Sequence, residues 1–176
     1  MKRRDFTLLL AGLSLGLGFG PCGYQRAGQG SALPEHIKTI AIQTFRNDSL
    51  RYRVEQKFTS ALVDELLHRT SRFKFVSDPS DADALITGNI RNFAFRSVLL
   101  DNNARTRLFE ITINVAVSMR DQTNNKVIYE NQKLTFRNEY ELSDDPRSFF
   151  NEEDPAVDRI ARDFARSILS TVMEGF

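Results

Sequence analysis

Thiol chemistry is nearly missing from this chain. Of 176 residues only Cys22 is a cysteine, which excludes an intramolecular disulfide and any thiolate metal cage. Tryptophan is absent, and the two histidines, His36 and His68, stand outside any His-Glu-x-x-His frame and read as solvated surface imidazoles. Neither sign of charge dominates: 24 Lys and Arg face 23 Asp and Glu, a formal net of +1. A nucleic-acid partner would call for a basic surplus, so none is expected. Gly16, Gly18 and Gly20 lie inside an apolar run and form no phosphate-cradling loop. The acidic stretch of Asp144 and Asp145 with Glu152, Glu153 and Asp154 lacks the spacing and central glycine of a calcium loop. A helix N-terminus attracts such acids through its dipole in any case. The chain therefore reads as a non-enzyme that needs no metal and no cofactor.

What the sequence does have begins at its start. Met1-Lys2-Arg3-Arg4 is a basic leader, and Phe6 to Gly20 is an apolar run of about fifteen residues, short of the roughly twenty that span a bilayer. Residues 1–21 are expected to be an export signal that is removed. The pair Arg3-Arg4 is compatible with the twin-arginine route as well as with ordinary secretion. Without Lys2, Arg3, Arg4 and Asp5 the charge balance moves to slightly acidic. Cys22 follows the apolar run directly, behind Phe19-Gly20-Pro21, in the manner of a lipobox whose thiol is acylated and becomes the first mature residue. Each buried methylene of such an anchor contributes about 0.8 kcal/mol, and more than one chain is needed for stable attachment. Gly23, rather than Asp, follows the cysteine, which points to the outer membrane by the sorting rule of enteric bacteria.

Residues 22–34 are rich in Gly, Ser and Ala and read as a tether, leaving one domain over 35–176. A β run at 37–45 carries Ile40 and Ile42 on one side. Asn47, Asp48 and Ser49 supply capping oxygens for a helix whose apolar stripe is Leu50, Val54, Phe58, Ala61, Leu62 and Leu66. Residues 73–76 suit an edge strand and 84–98 a long one. Phe109, Ile111, Ile113, Val115, Val117 and Met119 then alternate with polar or small residues, a strand with one buried and one wet face. Asn124-Asn125 predicts a hairpin, and residues 127–140 return. Asp154-Pro155 is expected to cap and start the last helix, with Val157, Ile160, Ala161, Phe164, Ile168 and Val172 inward. The sum is an α+β fold, two helices packed on one face of a mostly antiparallel four-stranded sheet, with the other sheet face polar.

Cys22-Gly23-Tyr24, the strand running into Phe45-Arg46-Asn47, the stretch Asp81–Ile90 (DADALITGNI), the alternating strand, the hairpin and the late helix resemble, in that order, the LptE family of lipopolysaccharide-assembly lipoproteins. The resemblance implies a lipid-anchored outer-membrane protein facing the periplasm. It also implies a partner, an LptD-like β-barrel that the protein plugs and helps assemble, and contact with lipopolysaccharide. The loop that carries basic lipopolysaccharide-contact residues in the family corresponds here to 101–107, which makes Arg105 and Arg107 the candidates; ordinary solvated charge is the alternative. The family's second basic position has no counterpart in 144–154, where Arg147 is the only cation. The layout is also similar to periplasmic activators and curli-secretion-type lipoproteins that act through protein–protein contacts.

Two rings and one further cation complete the candidates. By strand parity Phe93 and Phe95 oppose Ile86 and Ile90, so they face outward beside Arg91 as a surface for a partner or an acyl chain. Arg91 then joins Arg105 and Arg107 as a candidate lipopolysaccharide contact. The alternative is a bulge near Asn92 that swaps faces and buries both rings.

Overall fold

A computed structural model describes residues 33–69, 72–100, 106–141 and 149–174. The elements are β1 (Thr39–Ile42), β2 (Arg46–Asn47), α1 (Val54–Arg69), β3 (Lys74–Phe75), β4 (Ala84–Leu100), β5 (Thr106–Asp121), β6 (Lys126–Glu141) and α2 (Phe149–Glu174), with one 3-10 turn at Pro79–Asp81. Cys22 and Arg105 lie outside the described residues, as does the side chain of Arg107.

The sheet corrects the expectation of four mostly antiparallel strands. It has six strands in the order β3-β1-β4-β5-β6, with β2 also paired to β4. β1 runs parallel to both β3 and β4, and β2 runs parallel to β4, whereas β4, β5 and β6 form an antiparallel meander. The mixed character follows from connectivity. α1 carries the chain from β1 back to β3, and such a crossover delivers a parallel neighbour. In the meander each strand follows its neighbour directly in the chain and reverses. At the β5–β6 connection Asn125 has φ 53°, the left-handed region that Asn tolerates better than most residues. Asp121 organises this turn by accepting from the Thr123 and Asn124 amides and from Asn124 Nδ2.

One hydrophobic cluster joins the layers. Ile86 and Ile90 of β4, the alternating residues 109–119 of β5, the i, i+4 series Val54, Phe58, Leu62 and Leu66 of α1, and Ile160, Phe164 and Ile168 of α2 are all in it. Leu33, inside the stretch read as a tether, is already core at 2 % exposure. Phe164 is the hub. Its ring meets Phe58 at 5.0 Å, Phe136 at 5.6 Å and Phe45 at 5.7 Å, so α1, α2, β6 and the β1–β2 connection converge on one side chain. β4 makes room for Phe45 with Gly88, where an added Cβ would lie 2.3 Å from the ring.

Two helix boundaries differ from expectation. α1 starts at Val54, and Leu50 is fully exposed in the preceding loop rather than heading the apolar stripe. α2 starts at Phe149 and runs through Pro155. A proline there removes one helical hydrogen bond and crowds the carbonyl one turn back. Ion pairs to α1 and the loop before it meet the extra turn: Arg51 Nη2, in the loop, lies 3.0 Å from Glu153 Oε1, and Lys57 Nζ, in α1, lies 3.8 Å from Asp154 Oδ1.

Phe164→Ala is expected to cost about 3–5 kcal/mol in urea unfolding, the usual penalty for emptying a buried aromatic site. Leu67→Ala, at a residue 58 % exposed, should stay within about 0.5 kcal/mol of the parent.

Candidate partner interface

The two faces of the meander differ in chemistry because period-two alternation sends side chains to opposite sides. Opposite the helices, β4 and β5 present Thr87, Asn89, Asn114 and Ser118, and the residues are cross-linked. Arg96 Nε lies 2.8 Å from Glu110 Oε1, Thr112 Oγ1 donates to the same oxygen at 3.3 Å, and Thr135 Oγ1 donates to Asn114 Oδ1 at 2.9 Å. Glu110 is buried at 8 % exposure. Its carboxyl is held below the ordinary glutamate range, first by the hydrogen bond from Arg96, against opposition from burial, with the charges of Arg96 and Arg137 and the Thr112 hydroxyl adding to the effect. Partnered in this way, the face presents polar groups fixed by one another.

β4 changes phase at Arg91. Ile90 pairs with Val115 and Asn92 with Asn114, leaving Arg91 as the extra residue of a bulge. After it, Phe93 lies opposite Ile113 and Phe95 opposite Ile111, which turns both rings to the helix face. Phe93 is half-buried, with the Arg51 guanidinium 5.9 Å above its ring. Phe95 remains 41 % exposed and stacks on Phe109 at 4.5 Å. Arg91 goes the other way. Its Nη2 donates to Gln132 Oε1 at 3.2 Å, reaching across β5, and its Nη1 lies 4.0 Å from Asp48 Oδ2. The sheet thus separates Arg91 from the two rings that sequence parity had placed beside it.

Arg91 and Arg46 flank an open polar cleft of about 250 Å³ on this face, floored by Gly88, Ala116 and Ser118. Asp48 lies between the two cations, with Oδ1 3.7 Å from Arg46 and Oδ2 accepting from Asn89 Nδ2 at 2.6 Å. The cleft therefore holds two guanidinium groups that share one carboxylate, a net positive site rather than two bare cations.

Sequence reasoning did not single out two carboxylates that fix the lower end of the fold. Asp83 Oδ2 accepts from the Lys38 and Thr39 amides and the Thr39 hydroxyl, at 2.8, 2.8 and 2.9 Å. Those bonds, in that order, hold it below the ordinary aspartate range against its partial burial, with His36 adding a smaller charge effect. Asp121 is 2 % exposed, and burial opposes its ionisation. The Asn124 side chain and amide, His36 Nε2 at 2.8 Å and the Thr123 amide outweigh that and lower it as well. His36 is thus a partner of a buried carboxylate, not the freely solvated imidazole expected. The signal was its place just ahead of β1, which pattern alone does not connect to a residue 85 positions away.

The comparisons with known proteins agree with this architecture. The family model described as LptE: Lipopolysaccharide-assembly matches residues 37–172. Among solved structures, lipoprotein B from Nitrosomonas europaea is similar with a TM-score of 0.57 at 20 % identity, over 80 % of this chain and 84 % of that one. Rare lipoprotein B from Shewanella oneidensis gives 0.50 at 14 % identity, over 76 % and 92 %. The PelC dodecamer from Paraburkholderia phytofirmans gives 0.52 at 12 % identity, over 82 % and 94 %. These structural likenesses show the fold. No curated protein matches the chain.

Lowered carboxylates stabilise the fold fully above their unfolded pKa, about 4, and that stabilisation is lost as pH falls through the lower folded values. The melting midpoint should therefore hold from neutral pH to about 5 and drop below about 4. Asp83→Asn should lower the midpoint at pH 7 and flatten the acid decline. A midpoint indifferent to pH down to about 2, below these carboxylates' ordinary range, would contradict the assigned hydrogen bonds.

Proposed function

Because the chain belongs to the LptE lipopolysaccharide-assembly family, a family of non-catalytic lipoproteins of the cell envelope, we propose that it is anchored to the outer membrane through Cys22. In this reading it plugs and helps assemble an LptD-like β-barrel and assists insertion of lipopolysaccharide into the outer leaflet. The observation that carries the reading is the polar, ion-paired face of the β4–β5–β6 meander. A large barrel has a wet, polar lumen behind an apolar band about 25 Å tall. Strands of 16 and 17 residues extend about 50–55 Å at about 3.3 Å per residue, enough to run through such a lumen. A face on which the buried carboxylate Glu110 is already paired with Arg96 can lodge there without leaving that ion unpaired.

Arg105, Arg107 and Arg91 are the side chains this reading assigns to lipopolysaccharide phosphates, which guanidinium groups meet with paired donors. Phe95, exposed on the helix face, and Phe93 beneath Arg51 remain candidates for contact with the barrel wall or an acyl chain. A second reading takes the likeness to a dodecamer-forming fold as its cue: a lipoprotein that assembles into rings or engages other periplasmic proteins.

The test is purification of the tagged full-length chain from outer membranes, with mass spectrometry of its N-terminus and of whatever co-purifies. The expected result is an acylated Cys22 and a β-barrel protein in stable association, and Cys22→Ser should move the chain out of the membrane fraction. A bare thiol with the chain free in the periplasm overturns the anchor. Recovery of a self-assembled ring in place of a barrel favours the second reading.

A further inference from the structure

The loop between β2 and α1 displays its apolar side chains to solvent while its backbone is tied down at many points. Leu50 is 106 % exposed and Tyr52 77 %. Beneath them, Asn47 Oδ1 accepts from the Ser49 amide and hydroxyl at 2.9 and 2.6 Å. Asn47 Nδ2 donates to the Arg51 carbonyl at 2.8 Å and to Glu55 Oε2 at 2.7 Å. The Asp48 amide donates to the Ile90 carbonyl at 2.9 Å, and the Gln56 and Lys57 amides both donate to the Arg53 carbonyl. The Arg51 side chain is held by Glu153 and lies over Phe93. Arg53 closes the loop with φ 63°, a left-handed conformation that costs free energy for a residue with a Cβ and that persists only where its surroundings impose it.

A loop that is rigid, strained and tipped with an unburied leucine is arranged for something other than folding. Its guanidinium partner sharpens the chemistry: Arg53 sits 4.9 Å over the Tyr52 ring, and tyrosine and arginine are the residues enriched at binding hot spots. We propose that residues 48–53 form a preformed knob that docks into a protein socket with an apolar floor for Leu50 and Tyr52 and an acidic rim. The rim answers the charge of the segment, where Arg51 and Arg53 outnumber Asp48. A protein is the occupant rather than a membrane because a lipid surface has no shape to match and gains nothing from a rigid loop, whereas a socket gains affinity when its ligand is already in the bound conformation. Two side chains are also too little apolar surface for stable membrane binding.

The inference rests on the reading that the chain works with an outer-membrane barrel, and that barrel is the partner tested. Full-length chains carrying Leu50→Asp, and Leu50→Asp with Tyr52→Asp, are purified from outer membranes beside the parent. Because neither side chain supports the core, the melting midpoint should not move, while recovered barrel should fall at least tenfold. Equal recovery of the barrel by parent and variants overturns the knob and leaves the proposed function standing. No barrel with the parent chain overturns both. Leu50-dependent flotation of the Cys22→Ser chain with vesicles of phosphatidylethanolamine and phosphatidylglycerol would replace the protein socket with a membrane surface.

Discussion

The Phe45 ring lying where Gly88 leaves no side chain is the contact on which the rest of the structure depends. With any Cβ at position 88 the ring would be displaced, and there is nowhere for it to go, since its edge already meets Phe164. The Phe45 amide is also spoken for, donating to Thr59 Oγ1 at 3.1 Å, whose hydroxyl donates to the Glu55 carbonyl. Through this one residue the chain leaving β1 is fastened to β4 below, α1 beside and α2 above. The same fastening places Arg46 and Asn47 in register with Asn89 and Ile90, and from Asn47 the shape of the 48–53 loop follows. The stretches Phe45-Arg46-Asn47 and Thr87-Gly88-Asn89, read separately in the sequence, are two halves of one steric fit.

That fit also explains how one small domain keeps two surfaces distinct. The helix face is sealed by aromatic and aliphatic contact around Phe164, while the far face is finished with ion pairs and amide bonds. The Arg91 bulge is the switch between them. By inserting one residue it sends Phe93 and Phe95 to the helices and leaves a guanidinium on the polar side. A bulge that re-aims side chains in this way is a designed feature rather than a defect.

Much of this was legible beforehand. The alternation from Phe109 to Met119 and the four-residue steps of α1 are strong signals because period and burial coincide. What escaped pattern reading was everything decided by a partner distant in sequence. The parallel pairings of β1, β2 and β3 involve segments as short as two residues, below the length at which alternation can register. Leu50 continues the α1 spacing numerically, yet the Asn47 hydrogen bonds end the loop three residues later and strand it in solvent. Pro155 fits the rule for a first-turn residue, yet α2 starts at Phe149, and Glu153 and Asp154 of the added turn pair with Arg51 of the loop before α1 and Lys57 of α1. The bulge at Arg91 was foreseeable as an alternative, but the choice between the two parities is made by β5. Cys22 and residues 101–105 between β4 and β5 lie outside the described residues.

The most direct test of the Phe45–Gly88 fit is a double-mutant cycle. Gly88→Ala and Phe45→Leu are made singly and together, and stability is measured by denaturant unfolding. If the ring occupies the space a Cβ would need, the alanine is costly beneath phenylalanine and much less so beneath leucine, giving a coupling of about 1–3 kcal/mol between the two sites. Effects that simply add, within about 0.5 kcal/mol, would mean that the two residues do not share that space, and the account of how this fold is fastened would fail.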